Sequence, residues 1–100
     1  MDNLRRDGFD SIMKSGRDLI ILFYQKENAK CMLALETLRE VDTLLAKPFD
    51  TYIVDVDQDP EISAAFDIKV VPEYISMKQC KIFKRSTDLL YTNQVLDLLK

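Results

Sequence analysis

At 100 residues the chain is long enough for one hydrophobic core and too short for two, so a single domain over residues 1–100 is expected. Hydrophobic residues at 47% and charged residues at 31% exclude a disordered chain, and a formal net charge of −3 with scattered Lys and Arg excludes a nucleic-acid partner. The chain has no histidine, which removes the commonest general base and metal ligand. Any chemistry falls to Cys, Lys, Tyr or carboxylates, and neither a metal nor a cofactor is expected.

The elements are predicted in chain order. Leu4, Phe9, Ile12 and Met13 share one helical face, and Ser15-Gly16 supplies a stop, so a helix is expected over residues 3–15. Leu19 to Tyr24 is apolar without alternation, the mark of a strand covered on both faces. At six residues it is far short of the roughly 20 that span a bilayer, and no secretory leader is evident, so neither membrane nor export is expected.

Cys31, Leu35, Leu38, Val41 or Asp42, and Leu45 recur at helical spacing over residues 29–46, with Pro48 beyond. Thr51 to Val56 is β-branched and aromatic, a second strand. Asp59-Pro60 reads as N-cap and first residue of a short helix carrying Ile62, Ala65 and Phe66. Beyond Val71-Pro72, Tyr74–Met77 and Cys80–Lys84 form a hairpin turning at Lys78-Gln79, and Thr92 caps a last helix with Val95, Leu96, Leu98 and Leu99. Strands joined by crossover helices pair in parallel, which predicts an α/β fold in three layers, α/β/α, with a four-stranded mixed sheet ending in a β-hairpin plus helix.

Three segments, in this order, resemble the thioredoxin family over Phe9 to Lys100: Leu19-Ile-Ile-Leu-Phe-Tyr24; Val54-Asp-Val-Asp57 with Asp59-Pro60-Glu61; and Phe66-Asp-Ile-Lys-Val-Val-Pro72. The resemblance implies a thioredoxin-like fold, a cis-proline at Pro72 opposite the redox site, and a Cys-x-x-Cys pair at Asn28 and Cys31. Here the family's attacking cysteine is an amide and only the resolving one remains. Leu22 stands where many members carry a buried acid, and Glu73 where a Thr is usual. A dithiol cycle cannot run on these residues. Peroxidases of the related fold use a cysteine ending Thr-x-x-Cys, but their upstream proline and distant arginine are not evident.

If Asn28 caps the long helix, Cys31 sits at N3, where orphan N–H groups and the neighbouring Lys30 lower its pKa; Glu27, Glu73 and burial act the other way. The same thiol also reads as a small buried hydrophobe beside Leu35 and Leu38. Cys80 lies eight residues past Pro72 on a hairpin running away, roughly 25 Å at strand rise, so two free thiols are expected. Asp55, Asp57 and Asp59 are not a calcium loop, because Pro60 and Phe66 replace its Gly and Glu. Tyr24, Tyr74 and Tyr91 are expected to be half-buried aromatics.

Two functions remain open. One is a cytoplasmic thioredoxin-like protein of the thiol-disulfide class acting on a disulfide-bearing protein substrate, at most by monothiol exchange or redox sensing through Cys31, with Asn28, Lys30, Val71, Pro72 and Glu73 shaping the pocket. The other is a redox-inactive adaptor whose Pro72 groove docks an extended segment of a protein partner, the Val71 backbone being offered to it.

Overall fold

A computed structural model describes residues 1–44 and 47–100. Among these residues five strands form one mixed sheet in the order β1-β3-β2-β4-β5: β1 is Asp2–Asn3, β2 Leu19–Tyr24, β3 Asp50–Asp55, β4 Glu73–Lys78 and β5 Lys81–Ser86. The helices among the described residues are α1 (Arg6–Lys14), α2 (Ala29–Asp42), α3 (Pro60–Ala65) and α4 (Thr92–Asp97). β3 runs parallel to β1 and β2, whereas β4 is antiparallel to both β2 and β5.

Strand β2 is buried at every position because both of its faces are covered. Ile20, Leu22 and Tyr24 pack with Cys31, Leu35, Leu38 and Val41 of α2 and Val95 of α4. Leu19, Ile21 and Phe23 pack on the other face with Leu4, Ile62 and Phe66, beneath Phe9, Ile12 and Met13 of α1. Alternation along the strand thus supplies two apolar layers, and α2 and α4 lie opposite α1 and α3.

The fifth strand corrects the expected count of four. Two exposed polar residues carry no period, so β1 had no signal in the sequence; it forms because Leu4, wholly buried, anchors it and donates its N–H to the Ile53 carbonyl at 2.9 Å. Leu4 therefore precedes the first helix, which begins at Arg6. Its end is where Ser15-Gly16 put it, with Gly16 at φ +69, a left-handed conformation natural to glycine. Helix α2 ends at Asp42 with Thr43 as C-cap; the expected position of Leu45 in it lies outside the described residues.

Three local assignments also change. The hairpin turns at Gln79-Cys80, both at positive φ, so Cys80 belongs to the turn rather than to a strand, its thiol donating to the Met13 carbonyl. Tyr91, not Thr92, precedes α4; its N–H donates to Gln94 Oε1 at 2.8 Å, while the Thr92 hydroxyl donates to Glu40 on α2. Asp59 precedes Pro60 as expected, but its carboxylate makes no cap and lies 3.8 Å from Arg5 Nε.

Candidate functional site

The site is assembled where β2 ends. Its last residue, Tyr24, leads through a turn in which Glu27 takes φ +64 into Asn28, the N-cap of α2. Asn28 Oδ1 accepts the Cys31 N–H at 3.1 Å, which satisfies one of the orphan donors of the first turn and fixes Cys31 at N3. Antiparallel pairing of Phe23 with Glu73 brings the Val71-Pro72 bend to the same end of β2, and the Val71–Pro72 peptide bond is cis. Elements separated by about 40 residues of chain thus meet through sheet register alone.

The Cys31 side chain points into the sheet, with no exposed surface, among Leu22, Tyr24, Leu35 and Tyr74. Burial pushes its thiol up from the ordinary range, and the one counteracting contact is the Gln25 N–H, which donates to Sγ at 3.4 Å. The helix terminus and Lys30, expected to lower it, do not prevail: Asn28 already occupies the Cys31 amide, and Lys30 is exposed on the outer face of the helix. Desolvation decides the sign.

Glu73 does not join this group. Along β4 it alternates with Tyr74 and faces the α1/α3 layer, where its buried carboxylate accepts from Arg85 Nε while Arg85 Nη2 donates to the Phe66 carbonyl at 2.9 Å. The pair also raises the Arg85 pKa. Glu73 is therefore placed across the sheet from Cys31, and the acidic influence expected of it is not exerted.

Two residues that sequence reasoning missed do belong to the site. Gln25, directly after β2, supplies both the N–H on the thiol and a side chain 3.2 Å from Asp57. Asp55, buried at the end of β3 beside Tyr24, accepts the amides of Asp57 and Gln58 at 3.0 and 3.3 Å and lies 3.8 Å from Lys26 Nζ. Its acid alternation with Asp57 and Asp59 was visible; its inward direction was not. With Asp57 near Gln25 and Asp59 near Arg5, the three carboxylates diverge, and no group of three or more metal-ligating side chains exists among the described residues. Nor, among them, is any helix long and apolar enough to cross a membrane.

Neither Tyr24 nor Tyr74 is half-buried: both lie in the core, with the Tyr74 hydroxyl donating to the Ala34 carbonyl at 3.3 Å and its pKa pushed up to about 12 by burial, whereas Tyr91 is 78% exposed. Both cysteines are free. Beside the Val71-Pro72 bend runs an open groove of about 410 Å³, lined by Gln25, Val56, Ala64, Ile68, Val70 and Val71 among others. Val70 is 57% exposed there, and the Val71 amide and carbonyl make no hydrogen bond among the described residues.

Among solved structures, thioredoxin Mala s 13 of Malassezia sympodialis superposes with a TM-score of 0.87 at 15% identity, over 99% of this chain and 88% of that one. Trxlp of Edwardsiella tarda gives 0.84 at 14% identity, over 97% and 96%. This chain has the thioredoxin fold. The chain is also 23% identical over 95 residues to the curated protein thioredoxin Y2, chloroplastic, of Arabidopsis thaliana, a match that covers 94% of this chain. It spans 57% of the length of that relative, and no family model matches it.

Proposed function

We propose that residues 1–100 act as one thioredoxin-like domain, in a reducing compartment such as the cytoplasm, and that the domain is a redox-inactive adaptor docking an extended segment of a protein partner along the groove at Val70-Val71-Pro72. The observation that carries this reading is the complete burial of Cys31 with its raised pKa. Disulfide exchange requires a thiolate that can reach its target, and this sulfur has no exposed surface while burial disfavours its charged form. No second thiol is placed to release a mixed disulfide, since Cys80 sits on the turn of the distal hairpin.

Docking needs none of that chemistry. A strand added at Val71 finds an unpaired amide and carbonyl for main-chain hydrogen bonds, and apolar side chains of Val56, Ala64, Ile68 and Val70 for alternate residues of the guest.

The test is a selection of extended peptides from a displayed library, followed by amide chemical-shift mapping of the best binder. Shifts concentrated on Gln25, Val56, Ala64 and residues 68–71, retained in Cys31→Ser and lost in Val71→Asp, are expected. Insulin-disulfide or glutathione-mixed-disulfide reduction that Cys31→Ser abolishes would overturn the adaptor reading in favour of monothiol exchange.

A further inference from the structure

The cations of the chain divide into those the fold pairs and those it does not. Every arginine, with Lys26, Lys47, Lys69 and Lys100, stands at ion-pair distance from a carboxylate. Among the described residues Lys14, Lys30, Lys78, Lys81 and Lys84 do not, and all of these but Lys30 gather at the turn of the β4–β5 hairpin and along the strand that leaves it. Lys78 and Lys81 face each other across the turn and Lys84 follows on β5. Lys14 ends α1 beside the same turn, where the Met13 carbonyl accepts the Cys80 thiol. From Tyr74 to Thr87 the sequence holds no acidic residue, in a chain whose formal net charge is −3.

Apolar surface lies within this basic patch. Phe83 is 43% exposed and Ile82 45%, on a groove of about 430 Å³ walled by Lys78, Gln79 and Lys81, with Asp18 as its single acid. Lys78 Nζ lies 4.4 Å and Lys84 Nζ 5.4 Å from the Phe83 ring centroid, and Lys84 Nζ also donates to the Lys100 carbonyl at 2.6 Å. Two ammonium groups drawn to one ring repel each other, and an anion laid beside them offsets that repulsion while the ring keeps its cations. Strand β5 is the last of the sheet, so its outer backbone groups have no strand partner among the described residues. Lysine on an edge strand turns away indiscriminate pairing, a second copy of the same edge included, yet it admits an acidic strand. Refusal alone does not account for Ile82 and Phe83 being left half exposed among the lysines.

We propose that the outer edge of β5 and the Phe83 groove dock an extended acidic segment of a protein partner, its carboxylates meeting Lys78, Lys81 and Lys84 and an apolar side chain between them covering Phe83. The six residues of β5 span about 20 Å, with Asp18 near the turn and Asp88 two residues past the other end. A short peptide fits within that length. A nucleic acid or a membrane surface extends beyond it, over a chain whose remaining charge is negative. The turn lies at the end of β4 opposite the Val71-Pro72 bend, so this surface is separate from the groove beside that bend.

Fluorescence anisotropy with a short labelled peptide alternating Glu with Val, in reductant, tests the assignment, and amide chemical-shift mapping locates the peptide. Saturable binding at submillimolar peptide is expected, weaker as salt is raised, with shifts concentrated on residues 78–86. Lys81→Glu and Lys84→Glu should each weaken it about tenfold and Phe83→Ser about fivefold, all with unchanged far-UV spectra. Arg39→Glu, the same change of net charge placed on α2, should leave it within about twofold. Equal binding of a peptide with Gln in place of Glu, shifts at the Val70-Val71 groove instead, or indifference to both lysine reversals would overturn the proposal. So would no binding at millimolar peptide, or tighter binding of a single-stranded oligonucleotide or of phosphatidylserine vesicles than of the peptide.

Discussion

The two ends of α2 hold a titratable group each, and they hold it by opposite means. At the N-terminal end Cys31 has no exposed surface and a single weak donor, so burial keeps its thiol neutral. At the other end Asp42 receives the N-terminal ammonium at 2.9 Å, Lys47 Nζ at 2.6 Å and the Thr51 hydroxyl at 2.6 Å, and these partners hold its carboxyl far below the usual range. One group is kept uncharged by the absence of partners, the other charged by their abundance. The same helix therefore fastens the fold through an ionic knot at one end and buries the Cys31 thiol in the apolar core at the other.

Three substitutions sharpen this contrast, in falling order of effect. Asp42→Ala strands the Thr51 hydroxyl, which is buried, and unties β1 from α2; a loss of about 2–3 kcal/mol in urea unfolding is expected. Because the folded-state pKa of Asp42 lies below its unfolded value, its contribution is complete above about pH 4 and is lost as the pH falls below that, so the variant should show a shallower decline between roughly pH 5 and pH 2. The Cys31 end fails in the other direction. A raised folded-state pKa gives stability that is present below the thiol's unfolded pKa and lost as the pH rises through the folded one, and Tyr74 acts likewise.

Asn28→Ala removes the side-chain acceptor of the Cys31 amide and should cost about 1 kcal/mol, with Asn28→Asp retaining the cap. Cys31→Ala deletes one sulfur from a packed site and should cost on the order of 1 kcal/mol or less. Equal losses at Asn28 and Asp42, measured by the same urea titration, would erase the distinction between an ionic and a hydrophobic end.

Much of this architecture was legible in the chain. The continuous apolar run of β2 announced a strand buried on both faces, and the spacing of Cys31, Leu35, Leu38 and Val41 announced the helix that covers it. Asn28 was readable as the cap because an amide three residues ahead of Cys31 has an orphan donor to satisfy. What stayed hidden depended on contacts distant in sequence. Strand β1 exists through its pairing with β3, at Asp2 with Tyr52 and Asn3 with Ile53, and no local pattern encodes that. Glu73 could be placed near the bend by its position after Pro72, but which face of the sheet it takes is set by the register of Phe23 with Glu73. The turn at Gln79-Cys80 was missed because neither residue is the Gly or Asn that such left-handed positions favour.

The central claim is that the Cys31 thiol is closed to chemistry in the folded protein. It is tested most directly by the pH dependence of Cys31 alkylation in a Cys80→Ser background, comparing native with urea-unfolded chain. The account predicts modification at neutral pH at least about a hundredfold slower in the native state than in the unfolded one, with a native midpoint above the free-thiol value of about 8.5. Rapid native alkylation at pH 7, with a midpoint below that value, would contradict it.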